Sequence, residues 1–391
     1  MNLAHKIRLN PTVKQLEYFN RACGTSRFVW NTALAEWKRQ YEAGEKPKAA
    51  TLKKQFNQSK YELYPWLKDI HRDAHSQPFA NLDKAFKRFF KKQGRHPQFK
   101  RKGEHDSFYV ANDQMKVVKN RVRLPKIGWV RMREELRFNG KIMSATVSRS
   151  ADQWFISVNV DVQDYRLPRK ANGIVGIDLG LKTAATLSNG TTFESPKPLK
   201  NNLEKLAREQ RRLSRKQKGS NNRQKQKIKV ARVYLKIRNL RQDFIHKLTT
   251  KICSENQAVV IEDLCVKGMM KNRKLSRATS DLGYYEIRRQ LTYKSEIYDT
   301  TLVVANRWFP SSKTCSQCGN VKSKLSLSER AHICDVCGFT LDRDVNAAIN
   351  LRGLYTDGLS GINACGQGSS GDYANNRETT MNEAGTNHVY D

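Results

Sequence analysis

Four cysteines, in the run Cys315-x2-Cys318-x15-Cys334-x2-Cys337, constrain the folding of this chain more tightly than any other feature. Each Cys-x2-Cys makes a tight knuckle that aims two thiolates at one ion, and two knuckles complete a tetrahedron around zinc. Gly319 and Gly338 directly follow the knuckles and relieve their backbone turns. Four thiolates leave no coordination position open. The single zinc expected on Cys315, Cys318, Cys334 and Cys337 is therefore structural rather than catalytic. The remaining cysteines, Cys23, Cys253, Cys265 and Cys365, have no disulfide-like spacing, which fits a reducing cytosol. Cys23, Cys253 and Cys265 read as small buried side chains.

Acidic motifs bracket the cysteines. GIVGIDLG places Asp178 at the end of a buried strand, and AVVIEDL places Glu262 at the end of a second. LDRDVNAAIN places Asp344 in the first turn of a helix. Carboxylates that end buried strands lose solvation and repel each other, so they persist together chiefly when a cation holds them. Each motif alone is weak. Together they match two-metal phosphodiester hydrolysis, in which one acid bridges both ions and the others each fix one. Asp178 is the expected bridge. Asp263 alternates to the opposite face of the strand from Glu262. Asp342 stands where a helix N-cap would be, and capping alone explains it.

Charge narrows the partner. Lys plus Arg number 72 against 37 Asp plus Glu, a net +35. Residues 355–391 carry five acids and one arginine, which leaves +39 on the rest. Such a body needs a polyanion, and a surplus this large implies a long nucleic-acid contact. The bases are spread along the chain rather than along one amphipathic helix, which argues against a membrane surface. The N-terminal MNLAHKIRLN lacks an apolar core, and there is no apolar run of about 18 residues. No export or spanning segment is expected.

The pattern along the chain divides it. Residues 1–9 suggest a strand, and Asn10-Pro11 an N-cap followed by proline at the first helical position. Helices follow to about residue 93. Trp30, Ala33, Leu34, Trp37 and Tyr41 recur at helical spacing, as do Leu82, Phe86, Phe89 and Phe90, and these are expected in a core. Lys84, Lys87, Arg88, Lys91 and Lys92 are expected to face solvent or phosphate. After Pro97 hairpins take over, one turning at Lys119-Asn120 and one around Ser150–Gln153. A polar linker spans 163–172. Residues 173–193 read as strand, turn, strand. Residues 197–251 hold 19 bases and three acids, and GSNN at 219–222 splits them into two helices. Val230, Val233, Ile237, Phe244, Leu248 and Ile252 form the apolar stripe of the second. A basic loop is expected over Lys267–Arg277, a helix near 281–297, then the strand TLVVANRW. The tail 355–391, poor in large apolar residues, is expected to be disordered.

LNPT near residue 10, CGTSRFVWN, GIDLG, IEDL, WFPSSKTCSQCG, ICDVCG and DRDVNAAIN together resemble the TnpB proteins of bacterial insertion sequences, relatives of type V CRISPR effectors. The likeness runs from about residue 3 to 354. It implies an α/β fold: an RNase H-like (RuvC) nuclease domain at 173–310 and 341–354, with the zinc ribbon at 311–340 inserted before its last helix. It also implies an N-terminal wedge β-barrel at 1–9 and 97–165, carrying a helical recognition insert at 10–96, with 166–172 as the linker. The family's catalytic acids fall on Asp178, Glu262 and Asp344, and none is replaced. The expected function is RNA-guided, Mg2+-dependent cutting of double-stranded DNA beside a short target-adjacent motif. Two catalytic Mg2+, one structural Zn2+ and one guide RNA per protein are expected, in a bacterial cytoplasm at the nucleoid. The rivals are an RNase H-like transposase and a non-cutting RNA-guided repressor. The order Asp, Glu, Asp argues against the first, since such transposases usually carry two Asp followed by Glu. The second needs a lost acid.

Overall fold

The computed structural model describes residues 1–326, 328–356 and 362–363. They divide into two compact units, Met1–Asp164 and a second beginning at Tyr165.

The first unit opens with β1 (Asn2–Asn10), then α1 (Val13–Glu42), α2 (Ala49–Leu63) and α3 (Arg72–Phe90). The strands β2 (Ser107–Ala111), β3 (Lys116–Val118), β4 (Arg121–Leu124), β5 (Gly128–Met132), β6 (Lys141–Ser150) and β7 (Gln153–Asp161) follow. They join β1 in an antiparallel sheet of order β2-β6-β7-β1-β5-β4-β3. Alternate residues such as Ile7, Val147, Ile156 and Val158 are fully buried, as a half-covered sheet requires. The outer strands of this order are β2 and β3.

Two expectations are corrected here. Thr12, not Asn10, caps α1: its hydroxyl accepts the Gln15 N–H, and the Gln15 side chain accepts the Thr12 N–H. This reciprocal box satisfies two otherwise orphaned donors, and Asn10 instead ends β1. The helical core holds Trp30, Leu34, Trp37, Phe79, Leu82 and Phe86, with Trp37 stacked on Phe86 at 4.1 Å. Tyr41 and Phe90, however, are 67% and 64% exposed. Each lies at a helix C-terminus, where the apolar stripe outruns its packing partner.

The second unit begins with β8 (Gly173–Asp178), β9 (Thr183–Leu187) and β10 (Thr192–Glu194). Helices α4 (Leu203–Ser214) and α5 (Asn221–Glu255) lead to β11 (Asn256–Glu262). Then come α6 (Val266–Lys271), α7 (Ser276–Leu282), α8 (Tyr284–Tyr298) and β12 (Thr301–Ala305). Two short strands, β13 (Ala331–Ile333) and β14 (Thr340–Asp342), form a hairpin before α9 (Arg343–Thr356). The last element is β15 (Ile362–Asn363). The main sheet has the order β10-β9-β8-β11-β12-β15, with β8, β11 and β12 parallel. The parallel strands are apolar on both faces, as strands covered on both sides must be. Ile245, Leu248 and Ile252 of α5 and Ile287 and Leu291 of α8 join one core with Ile177 and Ile261. Nearer the start of α5, Val230, Val233 and Ile237 pack with Leu206 of α4.

The segment Lys267–Arg277 is not a loop: α6 and α7 occupy most of it, because Val266 and Met269 have the main core to pack against. The expectation of a disordered tail is also adjusted. Tyr355 and Thr356 continue α9, and β15 pairs antiparallel with Val304 and Ala305. The rest of the tail, Cys365 included, lies outside the described residues. Cys23 and Cys253 are buried, whereas Cys265 is exposed at the cap of α6, outside the core.

Candidate functional site

Two parallel strands set the first two acids. Ile177 of β8 pairs with Ile261 of β11, so the next residues, Asp178 and Glu262, end adjacent strands at the same edge. The carboxyl edge of parallel strands is where open α/β sheets place their ligands. Helix α9 packs closely on β8 just inside this edge. A Cβ on Gly176 would lie 2.0 Å from the Ala348 carbonyl oxygen and 2.5 Å from the Arg352 nitrogen. Only glycine admits that approach. Asp344 lies about one helical turn before Ala348 and so is carried to the same edge.

All three carboxyls are half-buried. Burial, followed by the negative charges of Glu262 and Asp344, pushes Asp178 up to about 7. Asp342 adds to that field and Arg343 opposes it. Arg343 Nε lies 3.7 Å from Asp344 Oδ1. Tyr284, buried beside Asp178, is held above the usual phenol range by burial and by that carboxylate. Carboxylates with an excess of negative charge are ligands suited to a divalent cation such as Mg2+, although these acids are not drawn together closely enough to form one donor group.

Glu262 is oriented by a residue the sequence reading missed. The Ser311 hydroxyl donates to Glu262 Oε1. Ser311 is itself buried, and its carbonyl accepts from Asn350 Nδ2 at 2.7 Å. Asn350 and Asn346 both donate to the Thr314 carbonyl at 2.7 Å, and Asn346 Oδ1 accepts the Ser316 N–H. Two asparagines one turn apart on α9 therefore pin the loop that leads into the first cysteine knuckle. The Asn-x3-Asn spacing in DVNAAIN was the available signal; Ser311 carried none.

The two discounted acids have other partners. Asp263 pairs with Arg288 and Arg307, each at 2.5 Å. Burial works against its charge, but these two guanidiniums hold its carboxyl below the usual range. Asp342 accepts the N–H groups of Asp344 and Val345 at 2.9 and 3.1 Å, which is a helix cap.

The four thiols converge more tightly than the acids. All Sγ atoms of Cys315, Cys318, Cys334 and Cys337 lie within 4.8 Å of one another, the one such donor group among the described residues. The pairs Cys315–Cys337 and Cys318–Cys334 are 3.7 and 3.5 Å apart. Zn–S bonds of about 2.3 Å in a tetrahedron need sulfurs ~3.8 Å apart, so the donor set fits zinc.

Basic side chains concentrate on the helical pair. Lys205 and Arg212 of α4 face Lys229, Arg232 and Lys236 of α5 across a groove. No helix among the described residues is long and apolar enough to cross a membrane.

Comparison with known proteins agrees with the motifs. The chain is 36% identical to an Escherichia coli K12 protein named "Putative RNA-guided DNA endonuclease InsQ", over 89% of this chain and 91% of that protein. It is 38% identical to a Streptomyces pristinaespiralis protein named "Putative RNA-guided DNA endonuclease", over 93% and 91%. The chain belongs to the TnpB family. Within this TnpB chain, residues 156–273 match a family model described as "Probable transposase", and 284–351 one described as "Cas12f1-like, TNB domain". The latter takes in α8, the cysteine hairpin and most of α9. Residues 1–46 match a model described as "Helix-turn-helix domain", although here they form β1 and one unbroken helix. The TnpB chain shares its mixed α/β fold with Cas12f1, solved as a Cas12f1–sgRNA–target DNA complex. The TM-score is 0.53 at 15% identity, covering 87% of this chain and 83% of that one.

Proposed function

We propose that this chain is an RNA-guided, Mg2+-dependent double-stranded DNA endonuclease, with Asp178, Glu262 and Asp344 as its catalytic acids. The observation that carries the hydrolytic part is the placement of Asp178 and Glu262 on adjacent strands at one carboxyl edge, where burial first, and then the charges of Glu262 and Asp344, lift Asp178 to about 7. Asp178, Glu262 and Asp344 would hold divalent cations, and bound Mg2+ would supply an activated water and a counter-charge for the leaving oxygen. The chain's own part is to place the acids: β8 and β11 present two, α9 the third, and Ser311 orients one. Guidance by RNA rests on the names of the 36–38% identical relatives and on the net +35. Base pairing would read the sequence, while protein contacts read a short adjacent duplex motif and the heteroduplex shape. We propose one guide RNA per protein, a structural zinc on the four cysteines, and a wedge built on the β1–β7 sheet.

The "Probable transposase" description keeps strand transfer as the second reading. The acid order Asp, Glu, Asp favours hydrolysis.

The test pairs two guides with two matched plasmids. Cutting should follow the guide, require Mg2+, and fall at least about a thousandfold in Asp178→Ala, Glu262→Ala and Asp344→Ala, with RNA binding retained. Equal cutting of both plasmids by RNA-free protein would refute guidance. Joining of cut ends to a new DNA would establish transposition instead.

A further inference from the structure

We propose that Trp308 is a stacking platform for an unpaired base of the DNA strand that enters the acidic site. This rests on the nuclease reading above. The indole is 86% exposed, the most exposed large apolar side chain among the described residues. It is not loose. Arg307 before it is clamped to Asp263 at 2.5 Å. Phe309 after it packs against the cluster of Val260, Val303, Ala305, Leu351 and Leu354. The Trp308 N–H itself donates to Asn306 Oδ1 at 2.9 Å. The backbone is therefore fixed on both sides of a residue whose ring is held in water.

The place of this ring identifies what it meets. Three residues later Ser311 touches Glu262. Three residues of chain span at most ~11 Å, or about three base-stacking steps of ~3.4 Å. A nucleotide strand lying at Glu262 therefore runs past the indole. Bases inside a duplex cover each other's faces, so an exposed ring can stack only on a base that has left its pair. Any base offers such a face, which suits an enzyme whose sequence is read elsewhere. A protein partner is the weaker match for a ring carried by a chain of net charge +35.

The experiment uses the guide-loaded full chain on matched duplexes carrying 5-iododeoxyuridine at successive positions, with Ca2+ in place of Mg2+ to prevent cutting. Long-wavelength ultraviolet light should crosslink Trp308 to one or two DNA positions next to the cut, unpaired in the complex. In Mg2+, Trp308→Ala should cut about fivefold to a hundredfold more slowly, with guide binding and melting temperature unchanged. Trp308→Tyr, which keeps a ring, should recover most of the rate. The proposal is overturned if Trp308 crosslinks only to paired DNA positions or to none, or if Trp308→Ala cuts at the wild-type rate. Failure of the wild-type complex to cut matched DNA at all would instead overturn the nuclease reading, and this site with it.

Discussion

The Ser311 hydroxyl reaches across from the loop before the first cysteine knuckle and donates a hydrogen bond to Glu262 Oε1. One carboxylate oxygen is thereby engaged. A hydrogen bond to a charged group is worth about 1.5–3 kcal/mol. Ser311→Ala should therefore slow cutting about tenfold to a hundredfold and raise the Mg2+ concentration needed for half-maximal rate. Ser311→Thr, which keeps the hydroxyl, should restore the metal dependence. Single-turnover rates across a Mg2+ series check this. An unchanged half-maximal concentration in Ser311→Ala would remove Ser311 from the site.

Gly176 makes the next prediction. Its missing side chain leaves the space in which the Ala348 carbonyl lies. Backbone atoms on both sides cannot move aside as a flexible side chain could. Gly176→Ala should destabilise the second unit by about 1–3 kcal/mol or more and displace α9. Cutting should fall with it, because Asp344 travels on that helix. Chemical denaturation compared with cleavage rate separates the two effects.

Cys315→Ser should lower zinc from about one ion per chain toward none. Loss of the ion loosens the knuckle whose leading loop Asn346 and Asn350 hold, so Ser311 loses its support. The expected outcome is weakened cutting with guide RNA still bound, followed by elemental analysis of protein purified without chelator. Full zinc content in Cys315→Ser would show that the ion lies elsewhere.

His75 gives a pH dependence in the first unit. It is buried in α3 with neither ring nitrogen hydrogen-bonded. Burial first, then the positive charge of Lys60, lowers it to about 4, against about 6.5 in an unfolded chain. Above pH 6.5 the ring is neutral folded or unfolded, and its contribution to stability is complete. Between 6.5 and 4 the unfolded chain binds the proton more tightly, and stability falls by up to about 3 kcal/mol. Below 4 the loss levels off. Urea unfolding at pH 7.5 and 5 should show a drop that His75→Leu reduces by about 2 kcal/mol.

Strand ends and a helix start were readable because both-face apolar runs stop at Asp178 and Glu262, and a run of small and apolar residues starts after Asp344. The cysteine spacing was readable because metal geometry is local. What stayed hidden depends on contacts between distant segments. Ser311 looks like any loop serine until α9 folds over it. Tyr41 and Phe90 kept the helical period but lie beyond the ends of their packing partners. Val266 and Met269 turned an expected loop into helices because a core was within reach. Thr12 displaced Asn10 as a cap because Gln15 completes its box.

The crossing of α9 over Gly176 also sets a time at which the site can exist. Synthesis proceeds from the N-terminus, and earlier segments fold first. Asp178 and Glu262 leave the ribosome well before Asp344, and the cysteine hairpin lies between. A nascent chain with β8, β11 and β12 already paired still lacks Asp344 and the helix that packs over Gly176. On the proposed reading, the site therefore stays incomplete until α9 has emerged.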